Sequence, residues 1–333
     1  MKDLRNPIFH DEKKARLHLE KLLWPGGPVC PHCGSLDGLA KVTKKRKLNK
    51  TKTDEGKKPH PQRPGLYYCN NCKGQFTVTV GTVFEKSKVP LTKWLLGFHL
   101  MASSKKGISA HQLHRNLKVT YKTAWFMAHR IRECMKPGSG KLPLGGPGKT
   151  IEADETYFGK RENPRPSAQR KGRPYIYRGK SAEKRPIVSL VERGGNVRTF
   201  HVQQATKDVV KDILFRNVSR KSILYTDESR LYTATGKQFA DHGTVRHSAD
   251  EYVRGDIHTN TVEGFFSIFK RGMKGVYQHC GEAHLHRYLA EFDFRYNHRI
   301  ALGYDDTKRA EYALRGAAGK RLTYRRTNEA PNA

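Results

Sequence analysis

The chain has 333 residues, enough for two or three domains, and its 64 Lys and Arg against 31 Asp and Glu give a net charge of +33. Such a charge destabilises a compact monomer unless a polyanion neutralises it, so the composition favours a nucleic-acid partner over a merely basic, ribosome-like protein. The most apolar run, WLLGFHLMA at 94–102, is less than half the roughly 20 residues of a spanning helix, and we expect no membrane segment.

Four of the six cysteines form two C-x-x-C pairs, CPHC and CNNC. The N-terminus lacks the apolar stretch of a secretory signal, so we expect a cytoplasmic, nucleoid-associated protein whose cysteines bind metal rather than form disulfides. The pairs predict a zinc ribbon with one structural Zn²⁺, and redox dithiols are the alternative. The predicted ligands are Cys30, Cys33, Cys69 and Cys72.

The spacing between the two pairs is unusual. It is 35 residues (34 to 68), whereas ribbons usually have about 15–20. The segment 41–63 carries ten basic and two acidic residues and predicts a flexible, charged extension that accounts for the excess. The alternation in GQFTVTVGTVF, which follows the second pair, predicts a ribbon strand.

Residues 89–134 have a helical period. Apolar residues recur at helical spacing from Leu91 to Met101 and predict one amphipathic helix. Ser109 and Thr120 are expected to cap two further helices joined by the tight turn NLKVT. This pattern is typical of a helix-turn-helix, with a plain three-helix bundle as the alternative. The side chains expected to face a DNA major groove are Tyr121, Lys122, His129 and Arg130.

After a Gly- and Pro-rich linker at 136–149, the pattern indicates a mixed sheet flanked by helices. TIEADETYFG at 150–159 predicts a strand carrying Asp154, and an acid inside a strand is unfavourable unless it is solvated, paired or bound to metal. A basic loop at 160–185 precedes a predicted hairpin that turns at GGN, then a helix, then a buried strand ending on Asp227 and Glu228. Ligands of such sheets gather at the carboxyl ends of strands.

The stretch HTNTVEGFFSIFK at 258–270 predicts a half-buried helix with Val262 and three phenylalanines on one face. Glu263 and Lys270, seven positions apart, are separated by only about 20° around that helix. One interpretation is a capping box with Asn260 as N-cap and Glu263 at the third helical position. The other is that the acid and the base serve one functional site.

IEADETYFG, YTDES and HTNTVEGFFSIFKRGMKGVYQH followed by HRYLAEFDFRYNHR resemble the DDE transposases of bacterial insertion sequences. The most similar group has an N-terminal zinc ribbon and is related to the eukaryotic Merlin elements. The resemblance extends from the ribbon through Arg299. It implies an RNase H-like catalytic core in which Asp154, Asp227 and Glu263 bind two Mg²⁺ (or Mn²⁺) ions, a donor set and metal pair that suit displacement at a phosphodiester.

The resemblance also implies roles for residues around the acids. Lys270 is expected near the DNA end, where it can bind a phosphate, and Arg271 beside it is a further candidate for DNA binding. Some relatives are described by an asparagine as the third ligand, and Asn260 is the candidate for that role here.

The implied function is a DNA transposase that binds terminal inverted repeats, cleaves at the element ends and joins the 3′-hydroxyls to target DNA. Two ends must be paired, so a homodimer or larger assembly is expected. The alternatives are an RNase H-like nuclease or resolvase that does not join ends, and a zinc-ribbon and helix-turn-helix transcription regulator.

The predicted fold class is α/β (α+β) and multidomain. A zinc ribbon with its basic extension is expected at 1–85, a helix-turn-helix at 86–136, an RNase H-like mixed-sheet core at 150–315 and a tail at 316–333.

Overall fold

The computed structural model describes residues 4–42, 64–138, 142–161 and 184–323. The predicted basic segments at 41–63 and 160–185 lie almost entirely outside these ranges. Within the described part of the chain, no helix has the length and apolar character required to cross a bilayer.

The N-terminal half contains four helices and a small sheet. In chain order its elements are α1 (Glu12–Leu23), β1 (Leu39–Lys41), β2 (Tyr67–Cys69), β3 (Gln75–Phe76), α2 (Leu91–Ser103), α3 (Ala110–Leu117) and α4 (Tyr121–Met135). The C-terminal half contains the main sheet and the helices that cover it. Its elements are β4 (Thr150–Lys160), β5 (Lys184–Glu192), β6 (Val197–His201), α5 (Lys207–Asn217), β7 (Ile223–Asp227), α6 (Thr233–Gly236), β8 (Asp241–Val245), β9 (Val253–Arg254), β10 (Ile257–His258), α7 (Asn260–Gly272), α8 (Leu285–Asn297) and α9 (Asp306–Arg315).

Strands β1, β2 and β3 form an antiparallel sheet around the cysteine pairs. The strand predicted in GQFTVTVGTVF is shorter than expected, because only Gln75–Phe76 pairs with β2. The residues that follow form turns, and Val78, Val83 and Phe84 leave the sheet to pack into the core of the N-terminal helices. Burial against a second core therefore overrides the strand pattern of this segment.

The predicted helices between residues 91 and 135 are confirmed, together with two of their caps. The Ser109 hydroxyl accepts a hydrogen bond from the Gln112 N–H at 3.1 Å and begins α3. The Thr120 hydroxyl accepts from the Thr123 N–H at 3.2 Å and begins α4. Both side chains satisfy first-turn N–H groups that have no partner inside their helices.

The main sheet has five strands in the order β6-β5-β4-β7-β8. Strands β4, β5 and β6 are antiparallel neighbours, as the predicted hairpin requires, whereas β7 pairs in parallel with β4 and with β8. Helix α5 packs on one face of the sheet, and α7 and α8 pack on the other. Three antiparallel strands continued by two parallel ones between helical layers are the RNase H-like arrangement expected from the sequence.

Helix α9 packs against α1, α2 and α4, and its Ala313 and Leu314 lie in the same apolar core as those helices. Arg309 of α9 donates to the Ala102 carbonyl at 3.1 Å, and Lys320 donates to the Lys136 carbonyl at 2.8 Å. The predicted boundaries placed 306–315 in the catalytic core and 316–333 in a tail, whereas α9 and Lys320 contact the N-terminal helices or the residue after α4. Helices α1 to α4 and α9 form one unit, which we call the discontinuous helical domain.

Candidate active site

Two of the three predicted acids lie side by side on the main sheet. Glu152 of β4 pairs with Tyr225 of β7, so continuing this parallel register by two residues places Asp154 opposite Asp227. Neighbouring strands are about 4.8 Å apart, and paired residues of parallel strands project to the same face. That face is the one covered by α7, because Phe158, four residues beyond Asp154, packs on α7.

The surroundings of Asp154 make its negative charge unfavourable. Burial raises the pKa of this carboxyl to about 8, and the charges of Glu155, Asp227 and Glu263 add to the rise. Burial also raises the pKa of Asp227, although the N–H of Ser229 counteracts part of this effect. The three predicted acids are therefore close enough to repel one another electrostatically.

Glu263 lies in the first turn of α7 and lines an open cleft of about 750 Å³ with Asp154. The same cleft is lined by Lys270, Arg271 and Lys274, so the acid and the base two turns apart do face one space. Aromatic residues on another side of α7 pack on the sheet and fix the orientation of the helix. The cleft is thus lined by acids from β4 and α7 and by basic residues from α7 and the turn that follows it.

The capping box, one of the two interpretations of the start of α7, is absent from the structure. The helix begins at Asn260 after Thr259, and Asn260 is exposed, so Glu263 is not at the third position of a box capped by Asn260. Instead the Thr259 hydroxyl donates to the Glu263 carboxylate at 3.1 Å. The first N–H groups of the helix are satisfied by Glu152 of the sheet, which accepts from the Thr261 N–H at 2.8 Å and the Val262 N–H at 3.0 Å.

Two of the four side chains predicted to face a DNA groove are inside the protein. Arg130 is buried, and its guanidinium donates to the Val83 carbonyl at 2.7 Å and the Leu322 carbonyl at 3.0 Å. His129 is 1% exposed, and burial lowers its pKa to about 2. Tyr121 and Lys122, in the first turn of α4, are exposed, and their contact with DNA stays a prediction. The helical period failed at the other two positions because α8 and the segment after α9 cover a second face of α4.

The four predicted zinc ligands do converge. Their sulfur atoms all lie within 4.8 Å of one another, with 3.6 Å between Cys30 and Cys72 and 3.7 Å between Cys33 and Cys69. A tetrahedron with zinc–sulfur bonds of about 2.3 Å has edges of about 3.8 Å, so the thiolates fit Zn²⁺ without rearrangement. Each knuckle places the residue after its second cysteine in the left-handed region, Gly34 at φ 76° and Lys73 at φ 58°.

The carboxylates also suit a cation, although of a different kind. Oxygen ligands with excess negative charge are the donor set that Mg²⁺ and Mn²⁺ take in proteins. A divalent charge would offset both the burial and the neighbouring negative charges that raise the pKa of Asp154. In the described part of the chain, the four cysteines meet the criterion that three or more ligand atoms lie within 4.8 Å of one another, and the three acids do not. The acids are thus neighbours that stand farther apart than the cysteine thiols.

Three side chains near the acids had no place in the sequence predictions. His247 lies 3.5 Å from the Glu263 carboxylate (Nε2 to Oε1) and lowers the pKa of Asp227. Glu155 accepts from the buried hydroxyl of Tyr232 at 2.8 Å, on the opposite side of β4 from Asp154. For Glu152 the sequence does hold a signal, since the i, i+2 spacing in IEADE puts it on the same face as Asp154.

Two family models match the chain. An ISXO2-like transposase domain covers residues 143–297, which span the sheet and all three acids. A transposase zinc-ribbon domain covers residues 10–75, which include both cysteine pairs. Over these two stretches the chain is similar to ISXO2-like transposases. The resemblance seen in the sequence is thereby confirmed, since one match includes the cysteine pairs and the other includes the mixed sheet.

One curated relative and two solved structures are also similar to this chain. The "Uncharacterized protein in transposable element ISH50" of Halobacterium salinarum is 28% identical over 295 residues, which cover 86% of this chain and 91% of that protein. The Mos1 transposase paired-end complex with left transposon end aligns over 67% of this chain and 74% of its own chain, at 12% identity and a TM-score of 0.26. A chain of the simian T-cell lymphotropic virus intasome aligns over 41% of this chain and 51%, about half, of its own, at 17% identity and a TM-score of 0.20. The two structural likenesses are too low to carry an argument.

Proposed function

We propose that this protein is a DNA transposase that binds the terminal inverted repeats of its element, cleaves the DNA at the element ends and joins the 3′-hydroxyls to target DNA. The observation that supports the proposal is the proximity of the acids: Asp154 and Asp227 each lie two residues beyond a paired position of adjacent parallel strands, and Asp154 lines one cleft with Glu263 and Lys270. Asp154, Asp227 and Glu263 would hold two Mg²⁺ or Mn²⁺ ions. When bound, such ions stabilise the attacking and leaving oxygens of a phosphodiester displacement.

The residues of this chain have separate tasks in the proposal. Lys270, Arg271 and Lys274 line the cleft and are suited to bind the phosphates of the DNA end. The exposed first turn of α4, with Lys122, and the exposed Arg115 and Lys118 just before it are suited to bind the terminal repeat. Because two ends must be cut together, we expect a homodimer or a larger assembly on DNA.

The test is cleavage and joining of duplexes that carry the repeats flanking the gene, with Mg²⁺ or Mn²⁺. The Glu263→Gln variant keeps an oxygen that can accept from Thr259 but loses the charge, so cleavage should fall about 100-fold or more while DNA binding is retained. Asn260→Ala is the matched control, one turn earlier on the exposed side of α7, and should cleave like the wild type.

Each other outcome selects a different conclusion. An active Glu263→Gln protein beside an inactive but folded Asn260→Ala protein would make Asn260 the third ligand. Cleavage of ends without joining of precut ends to target DNA would identify a nuclease or resolvase. Sequence-specific binding without any metal-dependent cleavage by the wild type would reject the proposal in favour of a transcription regulator.

A further inference from the structure

Glu152 is a fully buried acid that lies two residues before Asp154, on the same face of β4. Both of its oxygens are engaged at the start of α7. One accepts from the N–H groups of Thr261 and Val262 at 2.8 and 3.0 Å, and the other accepts from the Thr261 hydroxyl at 2.8 Å. A negative charge at this end of a helix is stabilised by the helix dipole, so the contact is favourable as well as specific.

Arg193 lies next to Glu152 and completes the arrangement. Its Nε donates to the Glu152 carboxylate at 2.6 Å, and its two terminal nitrogens donate to the carbonyls of Asp256 and His258 at 2.8 and 2.9 Å. Those carbonyls belong to the segment that leads into α7. The Arg193 guanidinium also lies 4.8 Å from the ring centre of Tyr225, two residues before Asp227.

The Glu152–Arg193 pair therefore contacts all three segments that carry the acids. Glu152 precedes Asp154 by two residues in a regular strand, Tyr225 precedes Asp227 by two residues in the paired strand, and Val262 directly precedes Glu263 in α7. At its N-terminus α7 has no side-chain cap of its own among the described residues. The hydrogen bonds to Glu152 therefore set the distance between the N-terminus of α7 and the sheet.

We infer that Glu152, paired with Arg193, is a positioning residue that fixes the distance of Glu263 from Asp154 and Asp227 and so assembles the divalent-cation site. The inference rests on the proposed function for the role of the three acids. Glu152 itself is occupied by N–H groups and by Arg193 and so acts through the ligands. Groups that orient metal ligands in this way typically change metal affinity by about 10–100-fold when they are removed.

The test is Mn²⁺ binding to the DNA-free protein, followed by electron paramagnetic resonance, with Asp154→Asn defining the site. Glu152→Gln should weaken this binding at least tenfold, because a neutral amide accepts more weakly from the N–H groups and from Arg193. Arg193→Lys, which keeps the charge but loses the fork between two carbonyls, should weaken it less. In the Glu263→Gln background, Glu152→Gln should cause no further loss, because the ligand that it positions is already impaired.

The matched control is Glu291→Gln, which alters another fully buried acid paired with arginine, in α8 and away from the cleft. This variant should lose stability but bind Mn²⁺ like the wild type. If Glu152→Gln does not fold, Arg193→Lys and Thr261→Val, which removes one bond to Glu152, carry the test. Wild-type Mn²⁺ affinity in a folded Glu152→Gln protein, or in both substitutes, would overturn the inference.

The inference and the proposed function can fail separately. A protein that cuts no DNA, but whose Mn²⁺ site is abolished by Asp154→Asn and weakened by Glu152→Gln, would reject the proposed function and retain the positioning role. If the wild-type protein cuts and joins DNA, and Glu152→Gln changes neither its Mn²⁺ affinity nor its cleavage, the positioning role is rejected and the proposed function is retained.

Discussion

The cysteine cluster allows a sharp prediction about Cys30→Ser. Cys30 is 1% exposed, and its sulfur lies 3.6 Å from that of Cys72, near the about 3.8 Å edge of a zinc tetrahedron. A serine oxygen is a poor replacement for one of four thiolates. Structural Zn²⁺ contributes about 10–16 kcal/mol of apparent binding free energy in small zinc-dependent units, far more than a domain of this size can lose.

The remaining core of the ribbon is too small to compensate. Besides Cys30 and Cys69, its buried apolar residue is Phe76, against which Trp24 and Tyr67 pack at ring-centre distances of 5.9 and 5.7 Å. A fully buried aromatic side chain contributes about 3 kcal/mol. Cys30→Ser should therefore unfold the ribbon, whereas the helical domain, which has its own core, should stay folded.

The assay is zinc content by mass spectrometry of the metal, combined with limited proteolysis. Wild-type protein should contain one zinc per chain, and Cys30→Ser should contain none and be cut within residues 25–40 and 65–80, outside the extension predicted to be flexible in both proteins. Cys134→Ser is the control, since Cys134 is equally buried but lies in α4, outside the cluster, and it should keep the zinc. Well-folded wild-type protein without zinc, or Cys30→Ser with one zinc per chain, would refute the reasoning.

Two further predictions concern DNA binding and the contact between domains. Lys122→Ala should weaken binding to end DNA and lower the salt dependence of binding by about one phosphate contact. The measurement is fluorescence anisotropy at several salt concentrations, with substitution of the exposed Lys237 by Ala as a control that should change neither quantity. Equal effects of the two substitutions would exclude Lys122 from the interface. Glu291 is fully buried and accepts a hydrogen bond from Arg132 of α4 at 2.7 Å. Glu291→Gln should therefore lower the free energy of unfolding by about 3 kcal/mol and the melting temperature by about 6–12 °C in calorimetry. An unchanged melting temperature would contradict this prediction.

Local signals in the sequence predicted much of the fold. The caps Ser109 and Thr120 and the order of the strands around Asp154 depend on residues a few positions apart, which sequence patterns reveal. The role of Glu152 could not be read in the same way, because its partners Thr261 and Val262 are 109 and 110 residues away. A buried acid and a metal-binding acid look alike until the helix that contacts one of them is placed.

The misplacement of Arg130 has a related cause. A helical period predicts which face of α4 packs on its nearest neighbours, but it cannot reveal a second partner from elsewhere in the chain. That partner includes the Leu322 carbonyl, 192 residues from Arg130. The three acids, by contrast, were predicted through motifs, and in the structure the charges of Asp227 and Glu263 act on Asp154.

The discontinuous helical domain has a consequence for synthesis of the protein. The 170 residues from 136 to 305 separate α4 from α9. At about 5–20 residues per second, a ribosome needs roughly 10–30 s to translate them, and throughout that time the apolar faces of α1, α2 and α4 lack one of their partners. Folding of this nascent chain cannot simply proceed domain by domain from its N-terminus. A message broken before the codons for α9 would therefore leave the core formed by α1, α2 and α4 without one of its helices.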